Sequence, residues 1–263
     1  MSTIDDGLVA CGFHDAECAG YLADLPLWVA LADTTGGPVI DLGAGTGRVS
    51  IPLAAAGHDV IAVDLEPALL VELERRAAAD DVEVITVAAD ARKLEDTFPQ
   101  ELRGGQLIAI PMQTIQLLGG PSGRLACLVG ASAIAGPGAE LVISIVAEVE
   151  PFDGRDASPL LLPPDVAELD GFRFESTPLA VLQPPEGGPI DMHRRRVVRD
   201  AAGEIVREAE DVVITLDPIS VATLQLEAAE AGWQIGEVVD MPETDEHAGG
   251  LILTFRLDDE VIS

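Results

Sequence analysis

Three glycines at alternate positions follow a short apolar run in Val39-Ile40-Asp41-Leu42-Gly43-Ala44-Gly45-Thr46-Gly47-Arg48. Glycines placed this way let a chain turn sharply between a strand and a helix, bringing bare backbone amides close to a ligand at the helix amino end. Acids stand at the ends of the next two apolar runs: Asp64, 21 residues after Gly43, and Asp90. An acid at the end of the second strand of such a unit can accept the hydrogens of both ribose hydroxyls. Aspartates that follow strands also cap helices, which is the alternative for both positions. Glu66 reads as an exposed acid in the first turn of a helix.

The glycine spacing narrows the ligand. A dinucleotide fingerprint places glycines at relative positions 1, 3 and 6. Here they fall at 1, 3 and 5, and position 6 is Arg48, which disfavours a nicotinamide-dependent oxidoreductase. No lysine follows to hold a phosphate, so a Walker-type loop is excluded as well. With Asp41 just ahead of it, the loop resembles the first motif of the class I S-adenosylmethionine-dependent methyltransferases. The resemblance covers roughly residues 20 to 147 and, more weakly, the last three elements. It implies that Gly43, Ala44, Gly45, Thr46 and Gly47 cradle the methionine part of S-adenosylmethionine. It also implies that Asp64 takes the ribose and Asp90 the adenine amino group. Asp41, Leu65, Ala91, Pro111 and Tyr21 complete the expected cofactor-binding set.

Methyl transfer is a displacement on an activated sulfonium methyl, so the protein mainly aligns donor and acceptor and excludes water. After the fourth strand, Ile110-Pro111-Met112-Gln113 lacks the Asn/Asp-Pro-Pro-aromatic motif of enzymes that methylate nitrogens in polymers. Met112-Gln113-Thr114-Ile115-Gln116-Leu117-Leu118 instead looks like the matching segment of glycine and amino-sugar N-methyltransferases and related natural-product enzymes. The resemblance turns Gln113 toward the substrate, although the family's usual residue is Asn, and Gln116 is the second substrate-binding candidate. The competing readings are a loop cap for Gln113 and a helix-surface polar residue for Gln116. A hydroxyl acceptor needs a base, and His247, in the polar loop after the sixth strand, is the catalytic candidate. A solvated hairpin loop is the alternative there. His58 precedes the second strand and reads as structural. The expected activity is methyl transfer to an oxygen or nitrogen of a small molecule, with a non-catalytic S-adenosylmethionine-binding sensor or partner-binding protein as the alternative.

These residues must be carried by alternating strands and helices. Apolar runs at Pro38–Leu42, Asp59–Val63, Val82–Val87, Gln106–Ile110 and Glu140–Val146 predict five parallel strands, with Gly136-Pro137-Gly138 as the turn into the last. A helix is expected over Ala68–Ala79, and another starting near Gly47. Residues 148–217 are rich in proline and glycine. Within them Phe172–Leu182, Ile190–Val198 and Glu204–Leu216 read as strands of a small antiparallel lobe. A helix near Ile219–Ala231 and strands at Trp233–Val239 and Leu251–Arg256 return to the α/β pattern. The predicted fold is therefore α/β: a Rossmann-like seven-stranded methyltransferase sheet in the order 3-2-1-4-5-7-6, with an antiparallel β lid inserted after strand 5. Residues 1–147 and 218–263 would form the cofactor-binding domain and 148–217 the lid and substrate lobe. Trp28 reads as core.

The charge balance, 46 Asp plus Glu against 15 Lys plus Arg, gives a formal net charge of −31. That field repels polyanions, so nucleic acid is not an expected partner. Arg194, Arg195, Arg196 and Arg199 are the best local exception, but on a strand they divide between two faces and read as a solvated lid surface. Cys11, Cys18 and Cys127 are too few and too scattered for a disulfide framework or a zinc site, and no metal is expected. No apolar run approaches membrane-spanning length, and Met1–Asp6 lacks a signal-like pattern. A cytoplasmic protein acting on a small-molecule acceptor is expected, and a homodimer is compatible with the sequence.

Overall fold

The structure, a computed structural model, describes residues 4–146, 149–154, 163–185, 188–241 and 249–257. His247 lies outside these residues.

Helix α1 (Asp6–His14) is capped by the Asp5 carboxylate on the amides of Gly7 and Leu8 and runs into a π-helical turn, Asp15–Ala19. Helix α2 (Leu25–Thr35) has Pro26 in its first turn, where no intrahelical bond is lost, and ends at a left-handed Gly36. Strands and helices then alternate: β1 (Val39–Leu42), α3 (Ser50–Ala55), β2 (Val60–Asp64), α4 (Pro67–Ala79) and β3 (Ile85–Ala88). The short α5 (Leu94–Thr97) precedes β4 (Gly105–Ile110), α6 (Pro121–Ile134) and β5 (Ala135–Ile145). Strand β1 is buried along its whole length, and β2 and β4 nearly so, as in a sheet covered on both faces.

Five antiparallel strands follow: β6 (Phe152–Asp153), β7 (Asp165–Leu169), β8 (Phe172–Leu182), β9 (Ile190–Arg199) and β10 (Ile205–Leu216). Helix α7 (Val221–Glu230), capped by Ser220 on the Thr223 amide, leads back through β11 (Trp233–Met241) and β12 (Gly250–Leu257).

The main sheet has the order β3-β2-β1-β4-β5-β12-β11, with β12 antiparallel to both neighbours. This is the predicted seven-stranded arrangement. Chain connections run outward from β1 to β3 on one side and from β4 to β5 on the other, so the carboxyl ends of β1 and β4 flank a crevice at the switch point. Trp233 donates its indole N–H to the Leu128 carbonyl at 3.0 Å, and Arg124 forks onto Glu227 at 2.7–2.8 Å; both fasten the returning elements to α6. The expected turn at Gly136-Pro137-Gly138 is instead part of β5, absorbed as an irregularity between the Gly105/Ala135 and Leu107/Glu140 pairs. Glycine is suited to position 136 because a Cβ there would strike the Gln106 carboxamide.

By their contacts the residues form two units, Ala23–Glu148 with Ile219–Ser263, and Val149–Pro218 with the N-terminal residues through Leu22. In the second unit the strand order is β10-β9-β8-β6, with β7 also on β8. Sequence reasoning finds three of these strands and misses β6 and β7, which are too short to show a period. It also places the N-terminal residues elsewhere. Phe13 of α1 packs edge-on against Phe174 of β8 at 5.4 Å. Glu17, on the π-helical turn, accepts from Nε and one terminal nitrogen of Arg196 at 2.8 and 2.6 Å and from the Ser176 hydroxyl at 2.5 Å. Arg194 bonds Ser176 and Asp165. The arginines do divide by face, as alternation requires, but Arg194 and Arg196 are not solvated: they are half-buried and neutralised by Glu17 and Asp165. Among the described residues no helix is long and apolar enough to cross a membrane.

Candidate functional site

The first loop is pinned at its start. Gly43 and Ala44 donate their amides to the Val63 carbonyl at 2.8 and 3.0 Å, carrying the β1–β2 pairing into the turn. Gly43, Gly45 and Gly47 have φ of +80°, +57° and +97°, a region that side chains strain to occupy. A Cβ on Gly43 would lie 2.6 Å from the Thr114 side chain, and one on Gly47 2.8 Å from Ile51. The residues after the loop form turns, so α3 begins at Ser50 rather than near Gly47.

Asp64 ends β2 and holds the loop: one carboxylate oxygen accepts the Gly45 amide and the other the Glu66 amide, both at 2.9 Å. Each oxygen keeps a further lone pair for a hydroxyl donor. Leu65 beside it is 65% exposed. Glu66 caps α4 on the Ala68 amide rather than merely facing solvent.

Beneath the loop, Asp41 is fully buried. Its Oδ2 accepts the Ser50 hydroxyl at 2.6 Å, while Oδ1 has no hydrogen-bond partner among the described residues. Burial raises its carboxyl to about 6, against the opposing effects of the Ser50 bond and the Arg48 charge; Asp64 and Asp24 add to the rise. Arg48 is itself committed: its guanidinium forks onto Asp24 at 2.5 and 2.9 Å, and Trp28 donates its indole N–H to the same carboxylate at 2.8 Å.

A carboxyl whose folded-state pKa lies above its unfolded value penalises the fold when ionised. For Asp41 the penalty is absent below about pH 4, grows between about pH 4 and 6, and is constant above. A shift of this size corresponds to up to about 3 kcal/mol. Asp41→Asn cannot ionise, so its stability relative to the parent should improve by up to that amount between pH 4 and pH 7, read as the change in urea-unfolding free energy. Parallel pH profiles for the two proteins would contradict this.

Asp90 caps the turn after β3 through the Arg92 amide, and Arg92 forks onto both its oxygens at 2.8 and 2.9 Å. Those hydrogen bonds from Arg92 hold the Asp90 carboxyl down at about 2. After β4, Pro111 is buried and Met112 adopts φ +53°, its carbonyl accepting the Ser144 hydroxyl at 2.7 Å. Gln113 is half-buried at this bend. Gln116 is neither solvent-facing nor free, since its carboxamide bonds the backbone N–H and carbonyl of Val146 at 2.9 and 3.2 Å and ties the loop to the end of β5.

Residues 39–103 match a family model described as a methyltransferase domain. The α/β unit has the class I methyltransferase fold. A demethylmenaquinone methyltransferase from Clavibacter sepedonicus is 43% identical over 72 residues, covering 26% of this chain and 29% of that protein. The chain's matches span about a third of the length of the curated relatives. Many solved structures share the fold. A sugar N-methyltransferase from a Streptoalloteichus species superposes with a TM-score of 0.67 at 17% identity, covering 94% of this chain and 92% of that one. An amino pentose methyltransferase of calicheamicin biosynthesis from Micromonospora echinaspora, solved with S-adenosylmethionine, gives 0.64 at 21%, covering 93% and 96%. At these identities the likeness is one of fold.

The α/β unit brings Asp41, Gly43, Ala44, Gly45, Thr46, Gly47, Asp64 and Leu65 together at the ends of β1 and β2, with Asp90 and Ala91 after β3 and Pro111 and Gln113 after β4. Tyr21 belongs to the other unit, where it is buried. Sequence reasoning misses Asp24, Arg48, Ser50 and Thr114. Asp24 and Arg48 are far apart in the chain, and no local pattern marks them as partners. Ser50 carries a weak signal, standing one helical turn beyond the loop. S-adenosylmethionine fits this set: the loop leaves no room for side chains at Gly43 and Gly47, and the unpartnered Asp41 oxygen can receive a cationic group.

Proposed function

We propose that this protein transfers a methyl group from S-adenosylmethionine to a nitrogen or oxygen of a small molecule. The observation that carries the reading is the glycine loop pinned by Asp64 directly above a buried carboxyl with one unpartnered oxygen. Asp41 would receive the methionine ammonium, Asp64 the ribose hydroxyls, and Asp90, held ionised by Arg92, the adenine amino group. Gln113 is assigned to the acceptor. When bound, S-adenosylmethionine supplies an activated methyl group, and the protein's part is to position the donor and exclude water. For a hydroxyl acceptor, His247 is the base we assign from the sequence. A small acceptor is supported by the net charge of −31, which opposes nucleic acid, and by the sugar and amino pentose methyltransferases that share the fold.

Calorimetry with S-adenosylhomocysteine tests this. Asp64→Ala should weaken binding by about 1.5–3 kcal/mol through loss of charge-assisted hydrogen bonds. Unchanged affinity in the variant, or no binding by the parent, would remove the assignment.

A further inference from the structure

Asp41 is a buried acid that its surroundings leave half-satisfied. Its strand neighbours in the sheet are Ala62 of β2 and Ala109 of β4, which offer no charge. The charged groups that reach it are Arg48 from the turn after the loop, Asp64 from the end of β2 and Asp24 from the start of α2. Arg48 is the only cation among them, and its guanidinium already forks onto Asp24. The site thus sets three carboxyls against one guanidinium, with Asp41 outside that ion pair. A fully buried carboxylate without a counter-ion is costly, and the ordinary relief is to keep its proton. Ser50, 2.6 Å away on α3, fixes Oδ2 and leaves Oδ1 as the free oxygen.

We infer that cofactor binding is coupled to proton release from Asp41, and that Ser50 is the positioning residue that sets the pH at which this happens. The inference rests on the cofactor reading above. Without ligand, Asp41 holds its proton at the unpartnered oxygen. When an ammonium group, protonated in the mildly acidic range, reaches that oxygen, the carboxylate form is stabilised by its charge, and the proton leaves to solvent. No bond other than O–H breaks, and the ligand keeps its own protons. The burial-raised carboxyl, at about 6, puts this exchange in the mildly acidic range.

The experiment is titration calorimetry of S-adenosylhomocysteine at several pH values, each in two buffers of different ionisation heat. Near pH 6 the parent should release about half a proton per ligand bound, falling to almost none above pH 8. Asp41→Asn should release none at any pH. Ser50→Ala removes the hydrogen bond that favours the carboxylate, so its release profile should move to higher pH; Ser50→Thr, which keeps a hydroxyl, should restore the parent's profile. Binding heats that do not depend on buffer near pH 6 overturn the inference while leaving the cofactor reading intact. A Ser50→Ala profile identical to the parent's overturns the role of Ser50. No binding by the parent overturns the cofactor reading and this coupling with it.

Discussion

Asp24→Ala is expected to destabilise the α/β unit by about 3–5 kcal/mol, the range for removing one partner of a buried ion pair. Asp24 is 1% exposed, and it accepts from both terminal nitrogens of Arg48 and from the Trp28 indole. Alanine would strip the carboxylate from a guanidinium whose side chain is only 6% exposed and orphan a buried indole N–H. The surviving Arg48 charge would also lie closer in effect to Asp41, drawing that carboxyl toward its ionised form. Chemical denaturation reads the loss directly. A double variant with Arg48→Leu should cost less than Asp24→Ala alone, because it also removes the guanidinium that has lost this carboxylate. A loss below about 1 kcal/mol for the single variant would mean water or a rearranged side chain replaces the carboxylate.

Gly43→Ala should cost about 2–4 kcal/mol and lower S-adenosylhomocysteine affinity together with stability. Two effects combine. A side chain at φ +80° carries backbone strain of about 1 kcal/mol, and overpacking against Thr114 at 2.6 Å adds roughly 1–3 kcal/mol. They are separable. Thr114→Ala in the same chain should recover much of the packing cost and none of the strain. If Thr114→Ala recovers nothing, the close approach of the loop to the turn after β4 does not decide the glycine. If Gly43→Ala is harmless, the left-handed conformation itself is in doubt.

Much of the architecture is legible in the amino-acid sequence because the relevant signals are local. The strands of the main sheet are short apolar runs ending in turn residues, and the loop glycines stand where the backbone reaches positive φ. Asp64 is readable because its spacing from Gly43 follows from the length of one helix and one strand. The misreadings share a physical cause: they concern residues whose environment is set by distant parts of the chain. Gln116 has the sequence context of a surface or pocket residue, and instead spends its carboxamide on Val146, 30 positions away. Arg194 and Arg196 read as solvated because their counter-charge, Glu17, sits about 180 residues earlier. The Asp24–Arg48 pair and the half-satisfied Asp41 likewise depend on the sheet bringing α2 and the glycine loop together. Alternation along a strand gives the face a residue occupies, not what covers that face.

A crystal structure with S-adenosylhomocysteine would locate the cofactor on the chain. The ligand should lie on the glycine loop, with its ribose hydroxyls within hydrogen-bond distance of Asp64 and its amino group against Oδ1 of Asp41. Ligand density elsewhere on the chain, or a loop occupied without either carboxylate in contact, would contradict the cofactor reading.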